Sequence, residues 1–153
     1  MNELQIKRRV LGIDFGQARI GVAVSDELQL LAHPVETIPA VPLKAAIARV
    51  AALAKDRNAE RIVVGLPRHL NGSVGTSARE ALAFAEQLRT IAPCEVAMHD
   101  ERMSTLAANR ALQEAGRKTR ETRGYIDQVA AQVILQSYLD LATDALPSDL
   151  PIE

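Results

Sequence analysis

The sequence predicts an α/β protein: a mixed five-stranded sheet flanked by helices. Two short apolar runs near the start are separated by only a few turn residues, which is typical of an antiparallel hairpin. Further along, apolar residues recur at every third or fourth position in stretches that alternate with short buried runs. That alternation favours crossover helices between parallel strands. One domain can hold the whole arrangement, because the chain has 153 residues.

The first three predicted strands begin the sheet. Residues 10–15 and 20–25 are the two apolar runs, and residues 16–18 supply the turn between them. A third, weaker strand is predicted over residues 30–37. Because Pro34 cannot donate a ladder hydrogen bond, this strand is expected at an edge of the sheet or in a bulge.

The rest of the chain alternates helices with strands. Helices are predicted over residues 43–54, 77–91, 104–115 and 125–141, and buried strands over residues 61–65 and 95–98. Pro42 suits the first turn of the first helix. Residues 77–80 have the spacing of a capping box for the second helix. Gly116 is a typical residue for ending the third helix.

Charge is distributed unevenly along the chain. The net charge is −1, from 18 basic and 19 acidic residues, and 48% of the residues are hydrophobic, as in ordinary globular proteins. The last fourteen residues contain four acids and no base, which leaves residues 1–139 with a net charge of +3. We therefore divide the chain into a domain over residues 1–142 and an acidic tail over residues 143–153. The mildly basic domain permits nucleic-acid binding but does not require it.

Cysteine usage and hydropathy point to a cytoplasmic protein. Cys94 is the single cysteine, which excludes a disulfide within the chain and a CxxC zinc site and favours a reducing compartment. No apolar run approaches the roughly 20 residues of a membrane helix. Asp14 interrupts the apolar stretch after the basic residues 7–9, so no signal peptide and no membrane partner are expected. No feature decides between a monomer and a homodimer.

Acidic residues occupy positions where a charge is costly. Asp14 lies inside the first apolar run, Asp100 and Glu101 directly follow the last strand, and Asp127 begins an apolar helical stripe. A carboxylate that points toward a core must be paired, protonated or bound to a cation. Strand ends are also the usual location of sites in α/β sheets. These acids therefore predict a site for Mg²⁺ or Mn²⁺, which take oxygen ligands.

Each acid also has a simpler explanation. Asp14 could form the hairpin turn, and Asp127 could favour the start of a helix through the helix dipole. Asp100 and Glu101 could be solvated loop charges. Spacing in the sequence does not show whether these residues meet in space.

Basic residues lie beside the acids. Four of them precede Asp127, and two others lie within five residues of a proposed acid; they are Arg117, Lys118, Arg120 and Arg123, and Arg19 and Arg102. Such residues bind phosphates without reading sequence. The alternatives are a solvated linker for the group of four and neutralisation of the acids by the other two. The loop over residues 65–76 is either a further backbone contact or an ordinary surface connection.

Four motif blocks carry a resemblance to a known family. They are residues 12–16 with 19–23, residues 63–67 with 71–72, residues 100–102 with 104–105, and residues 126–127 with 130–131 and 134–139. In this order, over roughly residues 10–140, they resemble the YqgF/RuvX family, which has an RNase H-like fold related to the RuvC resolvases. The resemblance implies that fold and a metal-dependent nuclease, described either as maturing the 5′ end of pre-16S rRNA or as resolving Holliday junctions.

The resemblance also implies site residues. By motif position, Asp14, Glu101 and Asp127 take the places of the family's acidic triad. Asp100 matches as well, and strand alternation alone does not choose between it and Glu101; we take Glu101 as the metal ligand and Asp100 as a nearby helper. The implied mechanism is hydrolysis with two Mg²⁺ or Mn²⁺ ions and no covalent intermediate.

Two other functions stay open. The protein could be a non-catalytic nucleic-acid-binding factor for ribosome assembly, in which the acids maintain structure. Residues 14–16 followed by a hairpin also resemble the first phosphate loop of the actin and sugar-kinase ATPases. Those proteins close two lobes on a nucleotide, whereas 153 residues supply only one lobe, so ATP binding is the weaker expectation.

Overall fold

One five-stranded sheet forms the centre of the molecule. The computed structural model describes residues 8–68, 71–104 and 120–149. The strands are β1 (Arg9–Phe15), β2 (Arg19–Ser25), β3 (Ala32–Pro39), β4 (Ala59–Leu66) and β5 (Glu95–Asp100). Their order across the sheet is β3-β2-β1-β4-β5. β2 is antiparallel to β1 and β3, whereas β1, β4 and β5 are parallel, so the predicted mixed sheet is confirmed.

Helices cover both faces of this sheet. α1 (Leu43–Asp56) and α2 (Thr76–Arg89) pack on one face, and α3 (Arg120–Asp149) packs on the other. A short 3₁₀ turn (Glu101–Met103) follows β5 directly. In the part of the chain that is described, no helix is long and apolar enough to cross a membrane.

Alternation along β1 separates the two faces. Leu11 and Ile13 join the cluster under α1 and α2, and Phe15 stacks on Phe84 of α2 with 4.7 Å between ring centroids. Val10 joins the cluster under α3. Because successive side chains in a strand point to opposite faces, Asp14 lies on the α3 side.

The edge strand β3 follows the expectation from Pro34. It lies at one edge of the sheet, and its register with β2 shifts between Val22 and Ala23, where Ala23 pairs with Pro34. The strand covers Ala32–Pro39, two residues further along than predicted.

Helix boundaries differ from several predictions. α2 begins at Thr76 with Gly75 as its N-cap, without a capping side-chain bond, so the predicted capping box is not formed. Pro42 is the N-cap of α1 and lies just before its first turn. The predicted third helix falls mostly on residues 105–119, outside the described residues.

The last helix is longer than predicted. It covers Arg120–Asp149 where residues 125–141 were expected, and its backbone continues through residues 143–149 of the expected acidic tail. The apolar stripe marks only the part of a helix that packs on a sheet, whereas the helical backbone can extend beyond that contact.

Candidate active site

Asp14 lies between two glycines on the neighbouring strands. β1 pairs with β2 so that Asp14 is directly opposite Gly21. On the other side Ile13 pairs with Val64, which places Gly65 beside Asp14. Neighbouring strands are about 4.8 Å apart, so both glycines flank Asp14 closely on the same face. The Asp14 residue is only 8% exposed.

The space above the two glycines is occupied by the other two acids. A Cβ atom placed on Gly21 would lie 1.9 Å from the backbone oxygen of Asp127. A Cβ atom on Gly65 would lie 2.7 Å from Glu101 Oε2. The backbone of Asp127 and the carboxylate of Glu101 therefore lie on either side of Asp14, over three adjacent strands.

Small residues let α3 approach the sheet closely. A Cβ atom on Gly12 would lie 2.6 Å from Leu135 Cβ and 3.2 Å from the backbone oxygen of Ala131. Ala23 on β2 and Ala130 on α3 are also buried in this contact. The close approach of α3 is what brings Asp127 over β2.

Arg19 holds the side chain of Asp127. Its Nε donates a hydrogen bond to Asp127 Oδ2 at 2.6 Å, and the two side chains are 37% and 17% exposed. This contact corresponds to the neutralising role that the sequence left open for Arg19. A phosphate contact by Arg19 stays a prediction.

Asp100 and Glu101 have different surroundings although they are consecutive. Asp100 caps the 3₁₀ turn and accepts hydrogen bonds from the backbone N–H of Arg102 at 2.9 Å and from Arg102 Nη2 at 2.7 Å. Arg68 Nη1 approaches Asp100 Oδ2 at 3.4 Å. Because the Arg102 hydrogen bond stabilises the charged carboxylate, the pKa of Asp100 lies below its ordinary value. Glu101, not Asp100, shares the face of Asp14.

Comparison with known proteins adds the family. A model of the RuvX family, described as Holliday junction resolvase, matches residues 8–141. The chain belongs to this family. A relative from Mycolicibacterium paratuberculosis is 50% identical over 133 residues, covering 86% of this chain and 80% of the relative. A relative from Chloroflexus aggregans is 44% identical over 140 residues, covering 92% and 96%. Both carry the name "Putative pre-16S rRNA nuclease".

Solved structures show the same fold for this RuvX family member. Thermus thermophilus RuvC matches with a TM-score of 0.56 at 16% identity, over 89% of this chain and 96% of that one. RuvC in complex with a Holliday junction substrate matches over the same shares at 16% identity with a TM-score of 0.55. The predicted RNase H-like fold is confirmed, and the family and its relatives support a nuclease role.

His99 is a buried polar group of the RuvX chain that was not among the site residues predicted from the sequence. It is 8% exposed, and its Nε2 lies 2.9 Å from Ser137 Oγ, which lies 3.1 Å from the backbone oxygen of Met103. Burial lowers the pKa of His99, because it disfavours the charged ring. The contacts tie β5 and α3 to the turn that carries Glu101. The sequence analysis also gave Gly21, Gly65 and Arg68 no place in the site.

Four of the residues predicted to bind nucleic acid precede Asp127, in a segment whose side chains the structure does not describe. Arg117 and Lys118 lie outside the described residues. Arg120 and Arg123 belong to the first turn of α3, of which only the backbone is described. Their contacts to nucleic acid stay predictions.

The acids have the right chemistry for a hard divalent cation. All three supply carboxylate oxygens, which Mg²⁺ and Mn²⁺ prefer, and a buried carboxylate such as Asp14 gains from a nearby cation. Among the described side chains, those of residues 8–68, 71–104 and 125–142, however, no three of Asp, Glu, His or Cys form a group that could hold an ion. Asp127 is engaged with Arg19, so a shared ion requires that carboxylate to divide its oxygens between the cation and Arg19.

Proposed function

We propose that this RuvX family member is a divalent-metal-dependent nuclease that acts on the 5′ end of pre-16S rRNA. The relatives named for that substrate, at 44–50% identity over most of the chain, support the choice. The observation that carries the proposal is the buried Asp14 carboxylate, flanked by two glycines over which Glu101 and Asp127 lie. Branched DNA is the second candidate substrate, supported by the description of the family.

Asp14, Glu101 and Asp127 are the residues that would hold the cation. Mg²⁺ or Mn²⁺ held there, singly or as a pair, would supply an activated water and would stabilise the oxygen that leaves the phosphodiester. Carboxylates on one face repel each other in the absence of positive charge, so the same cations would allow the three acids to share a site.

The chain's own side chains position these acids. Arg19 fixes one carboxylate oxygen of Asp127 at 2.6 Å and offsets its charge. The backbone oxygen of Glu101 accepts hydrogen bonds from the backbone N–H of Ser104 at 3.1 Å and from Ser104 Oγ at 2.8 Å. These bonds hold the turn from which Glu101 reaches over Gly65. No covalent nucleophile is needed, because water is the attacking group.

Basic residues around the acids would carry the nucleic-acid backbone. We assign this contact to Arg19, Arg102, Arg117, Lys118, Arg120 and Arg123, which together would bind phosphates without reading sequence. Acting on an rRNA precursor, the protein would work in the cytoplasm, and its single cysteine agrees with that compartment.

Cleavage by Asp14→Asn tests the proposal. The substrates are an RNA with the 5′ end of pre-16S rRNA, a four-way DNA junction and a single strand, each with Mg²⁺ or Mn²⁺. We expect Asp14→Asn to slow cleavage by about 100-fold or more, since it removes charge with little change of volume. The control is Asp56→Asn on the exposed end of α1, which should cleave as the wild type does. Equal cleavage by the two variants would contradict the acid assignment.

The same assay separates the other functions. If the wild type cleaves none of the substrates with either ion but binds RNA equally well with EDTA, the protein is a non-catalytic binding factor. If calorimetry with ATP and Mg²⁺ shows micromolar binding, the nucleotide-binding alternative replaces the nuclease.

A further inference from the structure

Asp100 gathers two arginines from different segments of the chain. Arg68 follows β4 and approaches Asp100 Oδ2 with Nη1 at 3.4 Å. Arg102 follows β5 and reaches the same oxygen with Nη2 at 2.7 Å and with Nε at 3.0 Å. Both segments leave the same edge of the sheet, because β4 and β5 are parallel. One carboxylate thus sets the positions of two guanidinium groups.

Gly72 binds one of these two guanidinium groups and lies close to the other. Its backbone oxygen accepts hydrogen bonds from Arg68 Nε at 3.0 Å and from Arg68 Nη2 at 2.5 Å. Its φ is +88°, and a Cβ atom there would lie 3.4 Å from Arg102 Nη1 and 3.7 Å from Arg68 Nη2. The positive φ would strain any other residue at this position, and the distances show that both guanidinium groups lie within van der Waals reach of the Gly72 backbone.

The charge of this group suits an anion. Arg68, Asp100 and Arg102, which we call the arginine pair and its anchor, carry a net charge of +1. The two arginine side chains are 33% and 32% exposed, whereas that of Asp100 is 20% exposed. Guanidinium groups match phosphate oxygens in geometry and form strong charge-assisted hydrogen bonds with them. A phosphodiester carries a negative charge that such a pair of guanidinium groups attracts.

The arginine pair lies next to the acids of the candidate active site. Asp100 and Glu101 are consecutive, so their Cα atoms are about 3.8 Å apart. Glu101 in turn lies over Gly65, beside Asp14. A phosphate held by the pair would therefore lie at the same end of the sheet as the phosphodiester that is cleaved at the acids.

We propose that Arg68 and Arg102 together bind one backbone phosphate of the nucleic acid, and that Asp100 is a positioning residue that orients them. The proposal rests on the proposed function for the identity of the ligand. It deepens that function by adding Arg68 and by giving Asp100, until now a nearby helper, the role of orienting the two arginines.

The first test measures binding without catalysis. In EDTA, the affinities of wild type, Arg68→Gln, Arg102→Gln and the double variant are measured from 50 to 200 mM salt, for a labelled single-stranded RNA and separately for a four-way DNA junction. Each single variant should reduce the slope of log affinity against log salt by about one phosphate contact, roughly 0.7 for a single strand and 0.9 for duplex DNA. The probe that shows this loss identifies the nucleic acid that supplies the phosphate.

Two comparisons make the binding test decisive. Arg49→Gln removes the same charge from the α1 side, where Arg49 pairs with Glu36, and should leave the slope unchanged. Because both arginines share one phosphate, the double variant should lose no more slope than either single variant. Single variants that match Arg49→Gln on both probes, or a double variant that loses two contacts, would overturn the proposal.

A double-mutant cycle tests the anchor. If Asp100 orients Arg102, the fold-change in affinity caused by Arg102→Gln should shrink when Asp100→Asn is already present. An equal fold-change in both backgrounds would show that Asp100 has no positioning role. Thermal melts of all variants confirm that they are folded. These measurements need no cleavage. The binding result therefore decides this proposal even if the Asp14→Asn assay contradicts the nuclease activity, and a failure of the binding test leaves the nuclease proposal intact.

Discussion

The two faces of the sheet are built from residues of different size. Large side chains fill the space under α1 and α2; among them are Leu11, Ile13, Ile62, Phe84 and Leu88. Under α3 the strands contribute several very small residues, namely Gly12, Gly21, Ala23 and Gly65, and α3 packs its large side chains Ile134, Leu135 and Leu139 against this face. Apolar volume stabilises the first face, whereas the second face gives up volume so that a helix backbone can approach the strands. The acids lie on the second face, so the fold separates most of its stabilising bulk from its chemistry.

Phe84→Ala should have the largest effect on stability. Phe84 is 1% exposed and stacks on Phe15, so its truncation should lower the free energy of unfolding by about 3–5 kcal/mol. Urea denaturation measures the loss. Cleavage by the folded fraction should change far less than in Asp14→Asn, because Phe84 lies on the opposite face of the sheet. A comparable loss of cleavage would show that the two faces are not separate in function.

Gly21→Ala should lower the free energy of unfolding by an intermediate amount and should strongly reduce the rate of cleavage. Its Cβ would lie 1.9 Å from the backbone oxygen of Asp127, and a backbone cannot turn away as the end of a side chain can. We expect a loss of about 1–3 kcal/mol in urea denaturation, as α3 moves outward. Cleavage should fall with it, since Asp127 moves away from Asp14. Full activity in this variant would mean that the position of Asp127 does not matter.

Gly65→Ala should reduce the free energy of unfolding only slightly and should still slow cleavage. The atoms that its Cβ would meet, Ile134 Cδ1 at 2.6 Å and Glu101 Oε2 at 2.7 Å, are the ends of flexible side chains. We expect a loss of about 1 kcal/mol or less in urea denaturation. Because Glu101 must turn away, cleavage per folded molecule should drop well below that of Phe84→Ala. If stability falls as far as in Gly21→Ala, the distinction between backbone and side-chain contacts is wrong.

His99→Gln should have the smallest effect, and it should appear only in acid. The pKa of His99 lies below its ordinary value of 6.5 because of burial. As the pH falls below about 6.5, the unfolded chain gains a proton that the folded chain binds only at lower pH, so the free energy of unfolding decreases until the pH has passed the folded pKa. Urea denaturation at pH 7.5, 6.5 and 5.5 should show a shallower decrease in His99→Gln. The control His33→Gln, on the exposed side of β3, should keep the wild-type decrease; a wild-type decrease in His99→Gln itself would contradict the role of burial.

Local patterns predicted the elements, and distant pairings decided the site. The alternation of β1 and the turn after it are local, so the hairpin could be predicted to within a residue or two, and Pro34 could be placed at an edge because its missing N–H is a property of one residue. The burial of Asp14 also followed from its apolar neighbours.

The register that places Gly21 and Gly65 beside Asp14 could not be predicted in the same way. This register depends on how three strands align, and the residue pattern within one strand does not show which residue of the neighbouring strand it pairs with. The hydrogen bond between Arg19 and Asp127 spans 108 positions for the same reason. The capping box failed because α2 begins at Thr76 with Gly75 as its N-cap, two residues before Ser77, which the capping box would need as N-cap.

The large sequence separation between Arg19 and Asp127 has a consequence while the protein is being synthesised. A nascent chain that has emerged only through the 3₁₀ turn after β5 already contains Asp14 and Glu101, but it has neither Asp127 nor the cover that α3 places over Gly12 and Gly21. A domain generally folds as a unit, so its last helix must be available before its structure is complete. The complete set of acids therefore comes into being late, when α3 docks, and the growing polypeptide passes through most of its translation without it.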